Sequence, residues 1–413
     1  MKSFKPFLIV AFLVGAVVLS SFTWKEQSNA ALCSDMLKYA TSFRDDYHGQ
    51  PIAKKLTRFI KKQESSSDPY AWMGDTHQLV AELKHMFPPT TQNFEIRKRI
   101  MQLLDYPLHV NNYAKDITER EHSEFNKVTY NYCRAAKERV LSEIENVVPK
   151  EGVVIWKIYN MGYIFKTPNR TFAVDITANK IITRKISGLS ESIPSMDIWK
   201  ECDCERLAKQ LDVLFVTHNH EDHISPAIVS AMLARGKKVV VADDYTIIDP
   251  KTGNKVPAVA PNQNLIVLGN AEVPVDIEGI KVLSFKGNQA PIACNIYLFD
   301  FDGIRVVDNG DNYDRQQEKK LLNYPAVNII LASSWNEVKS ILGYAQAAKG
   351  AEDANQIFIP SHENEIGHNV SHRESYHELF EDEARMGDPN FKYPLTFLLD
   401  IGESLTYPIV AVR

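Results

Sequence analysis

Apolar residues recur along this chain in two rhythms. From about Ala31 to Pro149 they come at three- and four-residue steps: Leu37, Tyr39 and Phe43; Ile52, Leu56, Phe59 and Ile60; Leu79, Leu83 and Met86. That spacing lines one face of a helix and predicts amphipathic helices. Thr90 or Thr91 is placed to cap a segment through Ile96, Ile100, Leu103 and Leu104 that Pro107 ends, and Asp116 to Val147 reads as one long amphipathic helix. After a linker at Val148–Gly152 the rhythm changes to short apolar runs bounded by turn residues. Strands are expected at Val153–Tyr159, Tyr163–Lys166, Thr171–Ile176, Asp212–Thr217, Lys238–Val241, Leu265–Leu268, Lys281–Phe285, Asn295–Phe299, Ile304–Val307, Val327–Leu331, Ile357–Ile359 and Thr396–Leu399, with helices at Pro226–Ala234, Trp335–Ala348 and Ser371–Met386. Strands alternating with helices make an α/β layer arrangement. A length of 413 residues is more than one core usually spans. The expected organisation is a helical domain at 31–150 followed by an α/β domain at 152–413.

Residues 1–30 stand apart. Lys2 and Lys5 precede an unbroken apolar run from Phe7 to Val18, then polar Lys25–Asn29 and the small pair Ala30-Ala31. A charged start, an apolar stretch short for a membrane span and small residues after it have the form of a secretory signal peptide, with a retained N-terminal anchor as the other reading. Either places the body of the protein outside the cytoplasm, periplasmic, extracellular or membrane-anchored. Cysteine usage does not argue for a disulfide scaffold: there are five, an odd number. In an exported protein Cys33 and Cys133 could pair, while Cys202-Asp203-Cys204 is a weak metal signal because no partner pair accompanies it. A net charge of −5 leaves no basic footprint for nucleic acid.

The densest chemistry follows the strand Leu211–Val216. His218, His220 and His223 share six positions with Glu221 and Asp222. Histidine and carboxylate are the ligands a borderline-soft divalent cation prefers, and a turn at a strand's end can aim several at one point. His218 and His220 lie two apart on extended chain and so share a face. Asp222 and His223 sit where a helix begins, Pro226 being tolerated in its first turn, and can face a second cation. By contrast, the five histidines at 48, 77, 85, 109 and 122 have no ligand spacing and read as ordinary surface or core histidines.

The run His218-Asn219-His220-Glu221-Asp222-His223 is an H-x-H-x-D-H signature, and with its strand it resembles the metallo-β-lactamase-fold superfamily of metal-dependent hydrolases. Further marks follow: Thr171–Asp175 looks like that family's early strand ending in aspartate, Ile304–Asp311 like its later strand ending in Gly-Asp, and Ile357–His362 like its last strand with a terminal histidine. The resemblance spans about residues 152–413 and implies an αββα sandwich, here preceded by an all-α domain. It also implies that His218 and His220 hold one metal, that Asp222, His223 and His362 hold another, and that Asp311 bridges them. Asp175 would orient a ligand by hydrogen bond. Two cations a few ångströms apart can share a hydroxide and stabilise charge on the attacked centre, and Asp222 is placed to accept the water's proton. One or two Zn²⁺ are expected, with Fe or Mn as alternatives.

One departure matters. The family has another histidine between the signature and Gly-Asp, yet no histidine occurs from Ile224 to Ser361. Asn288, beyond Val282–Phe285, is the nearest polar substitute, and an amide oxygen is a weaker donor to zinc than imidazole. The segment after the last strand adds Glu365, His368, His372 and Arg373. His368 or Glu365 could complete the depleted site or act as the general acid; His372 with Arg373 could meet an anionic substrate group, or the segment could be a solvated loop leading into a helix capped by Ser371. In feel the short motifs lie nearer the branch containing ascorbate-phosphate lactonases and N-acylphosphatidylethanolamine phospholipase D than the antibiotic-degrading enzymes. Hydrolysis of a phosphoester or lactone, in a small-molecule or lipid substrate, is the leading expectation; the rival is a non-catalytic binding or scaffold protein on a degenerate fold. A homo-oligomer through the helical domain and membrane association through the N-terminus are left open. Fusing Met1–Ala30 to a reporter active only outside the cytoplasm should give signal; activity confined to the cytoplasmic fraction would contradict the export reading.

Overall fold

The computed structural model describes residues 29–66, 71–108, 119–177, 199–220, 222–249, 251–269, 272–289, 292–312, 315–333, 347–348, 350, 355–362 and 395–408. The expected signal segment and the expected helices at Trp335–Ala348 and Ser371–Met386 lie wholly or almost wholly outside them. No helix of the described residues is long and apolar enough to cross a membrane.

Helices come first: α1 (Asn29–Asp46), α2 (Pro51–Glu64), α3 (Ala71–Met86), α4 (Phe94–Leu108) and α5 (Glu119–Asn146). Pro51 opens α2 where a missing N–H costs nothing, and Ile52, Leu56, Phe59 and Ile60 form its buried stripe. The strands follow as β1 (Val153–Tyr159), β2 (Gly162–Lys166), β3 (Thr171–Val174), β4 (Val213–Phe215), β5 (Lys238–Val241), β6 (Thr246–Ile248), β7 (Lys255–Pro257) and β8 (Leu265–Val267). They continue as β9 (Val275–Ile277), β10 (Ile280–Lys286), β11 (Asn295–Phe301), β12 (Ile304–Asp308), β13 (Ile329–Ser333), β14 (Ile357–Ser361), β15 (Leu395–Thr396) and β16 (Ser404–Tyr407). Helix α6 (Glu201–Gln210) leads into β4, and α7 (Pro226–Ala234) connects β4 to β5. The hairpin β6–β7, strands β9 and β16, and helix α6 go beyond the elements expected from periodicity.

Two seven-stranded sheets face each other, one in the order β16-β1-β2-β3-β4-β5-β8 and the other β15-β14-β13-β12-β11-β10-β9. Strict alternation divides each strand between two buried surfaces. Val153 and Ile155 of β1, Phe172 of β3 and Phe215 of β4 point inward, as do Tyr297 and Phe299 of β11 and Val306 of β12. Aromatic rings fill the gap, Phe165 stacking on Phe172 at 4.8 Å and Phe215 meeting Phe299 at 4.8 Å. The alternate residues Val154, Trp156, Ile158 and Leu214 point outward into a second buried cluster with the helices. Burial on both faces is why these strands read as continuous apolar runs.

The N-terminal helices do not keep a core to themselves. Phe43, Leu56, Leu83, Ile100 and Val140 belong to the same cluster as the outward face of β1. Buried polar contacts reinforce this packing. Lys84 and Tyr132 both bond to Asp400, while Arg97 pairs with Glu403 and donates to the Leu398 carbonyl at 2.6 Å. Arg139 donates twice to the Gly402 carbonyl, at 2.9 and 2.8 Å. The turn so gripped bonds directly to β1 through Gly402 N to Lys157 O (2.8 Å) and Lys157 N to Glu403 O (3.0 Å). Cys133, offered above as a partner for Cys33, is a buried free thiol whose pKa burial pushes up to about 12. Its place in a helical core explains its burial without a bridge.

His77 of α3 lies inside this contact, its ring 4.4 Å from that of Tyr132, and neither ring nitrogen has a hydrogen-bond partner among the described residues. Burial lowers its pKa to about 4, against an opposing pull from Asp400. The ring is neutral in the fold but takes a proton near its ordinary pKa once unfolded. Its contribution is therefore complete above that ordinary value and is lost as pH falls toward the folded one. Between pH 7 and pH 4.5 wild type should lose about 2 to 3 kcal/mol more unfolding free energy than His77→Phe, read from urea titrations at both pH values.

Candidate metal centre

The site forms where parallel strands of both sheets end on one edge. Strands β3 and β4 pair in parallel in the first sheet, and β12, β13 and β14 do so in the second. The residues just past their C-terminal ends are therefore brought together: Asp175 after β3, His218 to His223 after β4, Asp311 after β12 and His362 after β14. Gly310 makes the approach of the two sheets possible. Its φ is +51°, and a Cβ there would lie 2.9 Å from Thr217 Cβ. Asp175 and His362 also hold positive φ, at 49° and 69°, backbone states that non-glycine residues adopt only when their surroundings hold them there.

Asp175 is fully buried and accepts from Thr217 N (2.7 Å), Thr217 Oγ1 (2.6 Å) and His223 Nδ1 (2.7 Å). The proton on His223 Nδ1 leaves the Nε2 lone pair facing the centre. Since the Thr217 hydroxyl donates to Asp175, it accepts from His218 Nδ1 at 3.1 Å, and His218 too turns the Nε2 lone pair inward.

Four donor atoms then converge. His223 Nε2 is 3.2 Å from His362 Nε2 and 3.4 Å from both Asp222 Oδ2 and Asp311 Oδ1. His362 Nε2 is 3.4 Å from Asp222 Oδ2 and 3.1 Å from Asp311 Oδ1. A tetrahedron with ligands about 2.0–2.2 Å from its centre has edges of about 3.3–3.6 Å, so two imidazoles and two carboxylates at these separations fit a divalent cation. Beside it His218 Nε2 lies 2.8 Å from His220 Nδ1 and 3.5 Å from Asp311 Oδ2. Asp311 thus offers one oxygen to each group, the arrangement of a bridging carboxylate.

The electrostatics call for positive charge at the four-atom group. Burial works against charge on His223, but Asp311, Asp222 and Asp175 outweigh it and raise its pKa well above the usual imidazole range. Burial likewise opposes ionisation of Asp222 and Asp311, yet the imidazoles of His223 and His362 hold both carboxyls well below the usual carboxylate range. His218 and His220 are driven the other way, chiefly by burial, and stay neutral as ligands must. His220 is only half-buried, unlike the other ligand-type residues.

Six residues expected as ligands, His218, His220, Asp222, His223, Asp311 and His362, therefore meet, with Asp175 bonded beneath them. Asn288 does not join them. Its side chain is exposed, and its backbone N–H donates to Asn312 Oδ1 at 2.9 Å. Pleat alternation turns the next residue inward instead: Gln289 is buried, with Nε2 donating to Asp311 Oδ2 at 3.2 Å. Glu365, His368, His372 and Arg373 lie outside the described residues. Two residues the sequence reading passed over also belong to the site. Thr217 relays Asp175 to His218, and Asn160, at the β1–β2 turn with φ of 56°, donates to Asp222 Oδ2 at 2.9 Å and lies 3.3 Å from His362 Nε2. An asparagine in a two-strand turn on the edge where Asp175 ends was the available signal, because asparagine tolerates left-handed backbone.

Two facing seven-stranded sheets, with helices against the first and this cluster on one edge, have the arrangement of the metallo-β-lactamase fold. Solved structures with a similar fold include a metallo-β-lactamase fold protein from Bacillus subtilis (11% identity, 62% of this chain and 99% of that one, TM-score 0.39). An isothiocyanate hydrolase from Delia radicum gut bacteria is 14% identical over 62% of this chain and 98% of its own, with TM-score 0.41. A diiron β-hydroxylase from Streptomyces venezuelae is 14% identical over 62% and 54%, with TM-score 0.36. No protein-family model and no curated protein matches the chain. Likenesses this distant assign no activity, so the chemistry has to come from the side chains.

Replacing Asp175 by Asn keeps the shape but sets an amide NH₂ against groups that must donate. Competition with a chelator should show cation affinity about 10- to 100-fold lower in Asp175→Asn, with the circular dichroism spectrum unchanged.

Proposed function

We propose that the protein is a metal-dependent hydrolase acting on a phosphoester or a lactone. The observation that carries the reading is the sharing of Asp311 between a four-atom and a three-atom donor group. Two imidazoles and two carboxylates are buried side by side with their donor atoms converging, an arrangement that a divalent cation would complete. A divalent cation held there would acidify water and stabilise negative charge on the attacked group.

The chain's own residues supply the rest. Asp222 is oriented by Asn160, which occupies Oδ2, and the carboxylate stands ready to take the proton of the attacking water. Asp175 and Thr217 hold His223 and His218 in one tautomer, so no reorientation is needed when charge develops. His220, the half-exposed ligand, marks a side from which substrate reaches the centre. Imidazole with carboxylate suits zinc first and admits iron or manganese. The N-terminal composition supports a site of action outside the cytoplasm.

Protein purified without chelator should carry divalent metal and hydrolyse bis(p-nitrophenyl) phosphate or a simple lactone. Asp222→Ala and His362→Ala should each lose the metal of the four-atom group and fall to background rate. Full metal content in Asp222→Ala would sink the ligand assignment, and wild-type protein with less than about a tenth of an equivalent of metal would instead favour the non-catalytic scaffold.

A further inference from the structure

The three-atom group of His218, His220 and Asp311 is one donor short of the usual four, and the strand end beside it holds a side chain that nothing else in the fold explains. Beyond β10 the chain runs Gly287-Asn288-Gln289. Gly287 is pressed against the neighbouring segment, its N–H donating to the Cys294 carbonyl at 2.7 Å and a Cβ there meeting Cys294 Sγ at 3.0 Å. The same segment bridges to the other sheet, Cys294 pairing with His218 and Asn295 N donating to Thr217 O at 2.9 Å. A turn closed by Ile292 N on Gln289 O (3.0 Å) fixes the backbone just where the Gln289 side chain leaves it.

That side chain is 8% exposed. Its Nε2 donates to Asp311 Oδ2, the carboxylate oxygen that lies toward His218 Nε2. Its Oε1 is buried with no hydrogen-bond partner among the described residues. A buried acceptor left unsatisfied costs about 1–3 kcal/mol, and water or a cation is what ordinarily removes that cost. The carboxamide head bonds to the Asp311 oxygen that lies 3.5 Å from His218 Nε2, so its unpartnered acceptor sits beside that group.

We infer that Gln289 completes the group of His218, His220 and Asp311 by giving its carboxamide oxygen to a divalent cation, while the amide nitrogen steadies the bridging carboxylate. The inference rests on the metal-dependent reading above. Its consequence is a lopsided pair. The group with His223 and His362 has two imidazoles, the Asp222 carboxylate and one oxygen of Asp311, whereas the other has two imidazoles, the second oxygen of Asp311 and a neutral amide where its neighbour has a carboxylate. An amide oxygen is a harder and weaker donor than imidazole, so this group holds zinc less firmly than its neighbour and is the one more tolerant of manganese or iron.

The test is equilibrium titration of metal-stripped full-length protein with Zn²⁺, bound metal being counted by mass spectrometry alongside thermal unfolding as a check on folding. Wild type should bind one equivalent tightly and a second more weakly. Gln289→His and Gln289→Glu should tighten the weak step by about tenfold or more, Gln289→Leu should abolish it, and the tight step should stay within about twofold in all three. Asn288→His should leave both steps unchanged. A residue that only fills space would not raise affinity above wild type, so the His and Glu variants separate ligation from packing even if the Leu variant fails to fold. Two equivalents bound with equal affinity in wild type, or a weak step indifferent to His and Glu at position 289, overturns the inference while leaving the hydrolase reading in place. No bound cation at all in wild type overturns both.

Discussion

The buried carboxylate of Asp175 is the constraint on which the centre depends. It is wholly removed from water, a costly place for a negative charge unless donors surround it, and three do: the Thr217 N–H, the Thr217 hydroxyl and His223 Nδ1. Each bond serves the fold and the site together. The main-chain bond ties the end of β3 to the end of β4 after their ladder has stopped. The hydroxyl bond fixes the direction of the Thr217 lone pair and so the tautomer of His218. The imidazole bond fixes His223. One carboxylate thereby sets two ligands in two different donor groups, although it touches neither centre. Asp308, buried alongside, is the contrast: burial and the nearby Asp175 push its carboxyl well above the usual range, because it receives only the Gly310 N–H. The two buried aspartates thus differ in their donors, three for Asp175 and one for Asp308.

The helical layer enters the same logic from the far side. Buried Asp400 and half-buried Glu403 are matched to Lys84, Tyr132 and Arg97 from three helices, and pairs of this kind specify one arrangement more than they add stability. What they specify is the turn that bonds to β1 at Lys157. Three residues further along β1 the chain turns at Asn160, whose amide holds Asp222. The helices are thus coupled to the site through a short run of backbone, and Gly162 keeps that run tight, since a Cβ there would fall 2.8 Å from the Tyr159 carbonyl.

Much of this was legible in the sequence because it is local. The signature after β4 lies on consecutive residues, and their order alone says which can share a face. Helix α7 was read to the residue, since Pro226 marks a start and the apolar run has a clear stop. Strand ends were harder to read, because a shift of one residue reverses which side chains face inward. Asn288 and Gln289 are both amides, and nothing in the string Lys-Gly-Asn-Gln says that Gly287 is pinned against Cys294 and so sets the phase. The short strand β16 and hairpin β6–β7 escaped for a related reason, being held by partners far away in sequence or by each other at the surface. Asn160 escaped because its importance comes from where β2 lies beside β3, a fact of topology.

The same phase argument bears on why an amide can stand where an imidazole is expected. The side chain at this strand end must reach past Asp311, which already spans two donor groups, and it must do so from a backbone pressed against Cys294. An imidazole would present one nitrogen to a cation and a second that needs its own acceptor, and the carboxylate oxygen nearest to hand is the bridging one. A carboxamide resolves the conflict differently: its N–H satisfies Asp311 Oδ2 and its oxygen is left free on the same rigid head. One side chain then both steadies the bridge and supplies a donor, at the cost of donor strength. On this view the departure from the family pattern exchanges tight binding of one cation for firmer placement of the carboxylate that two groups share.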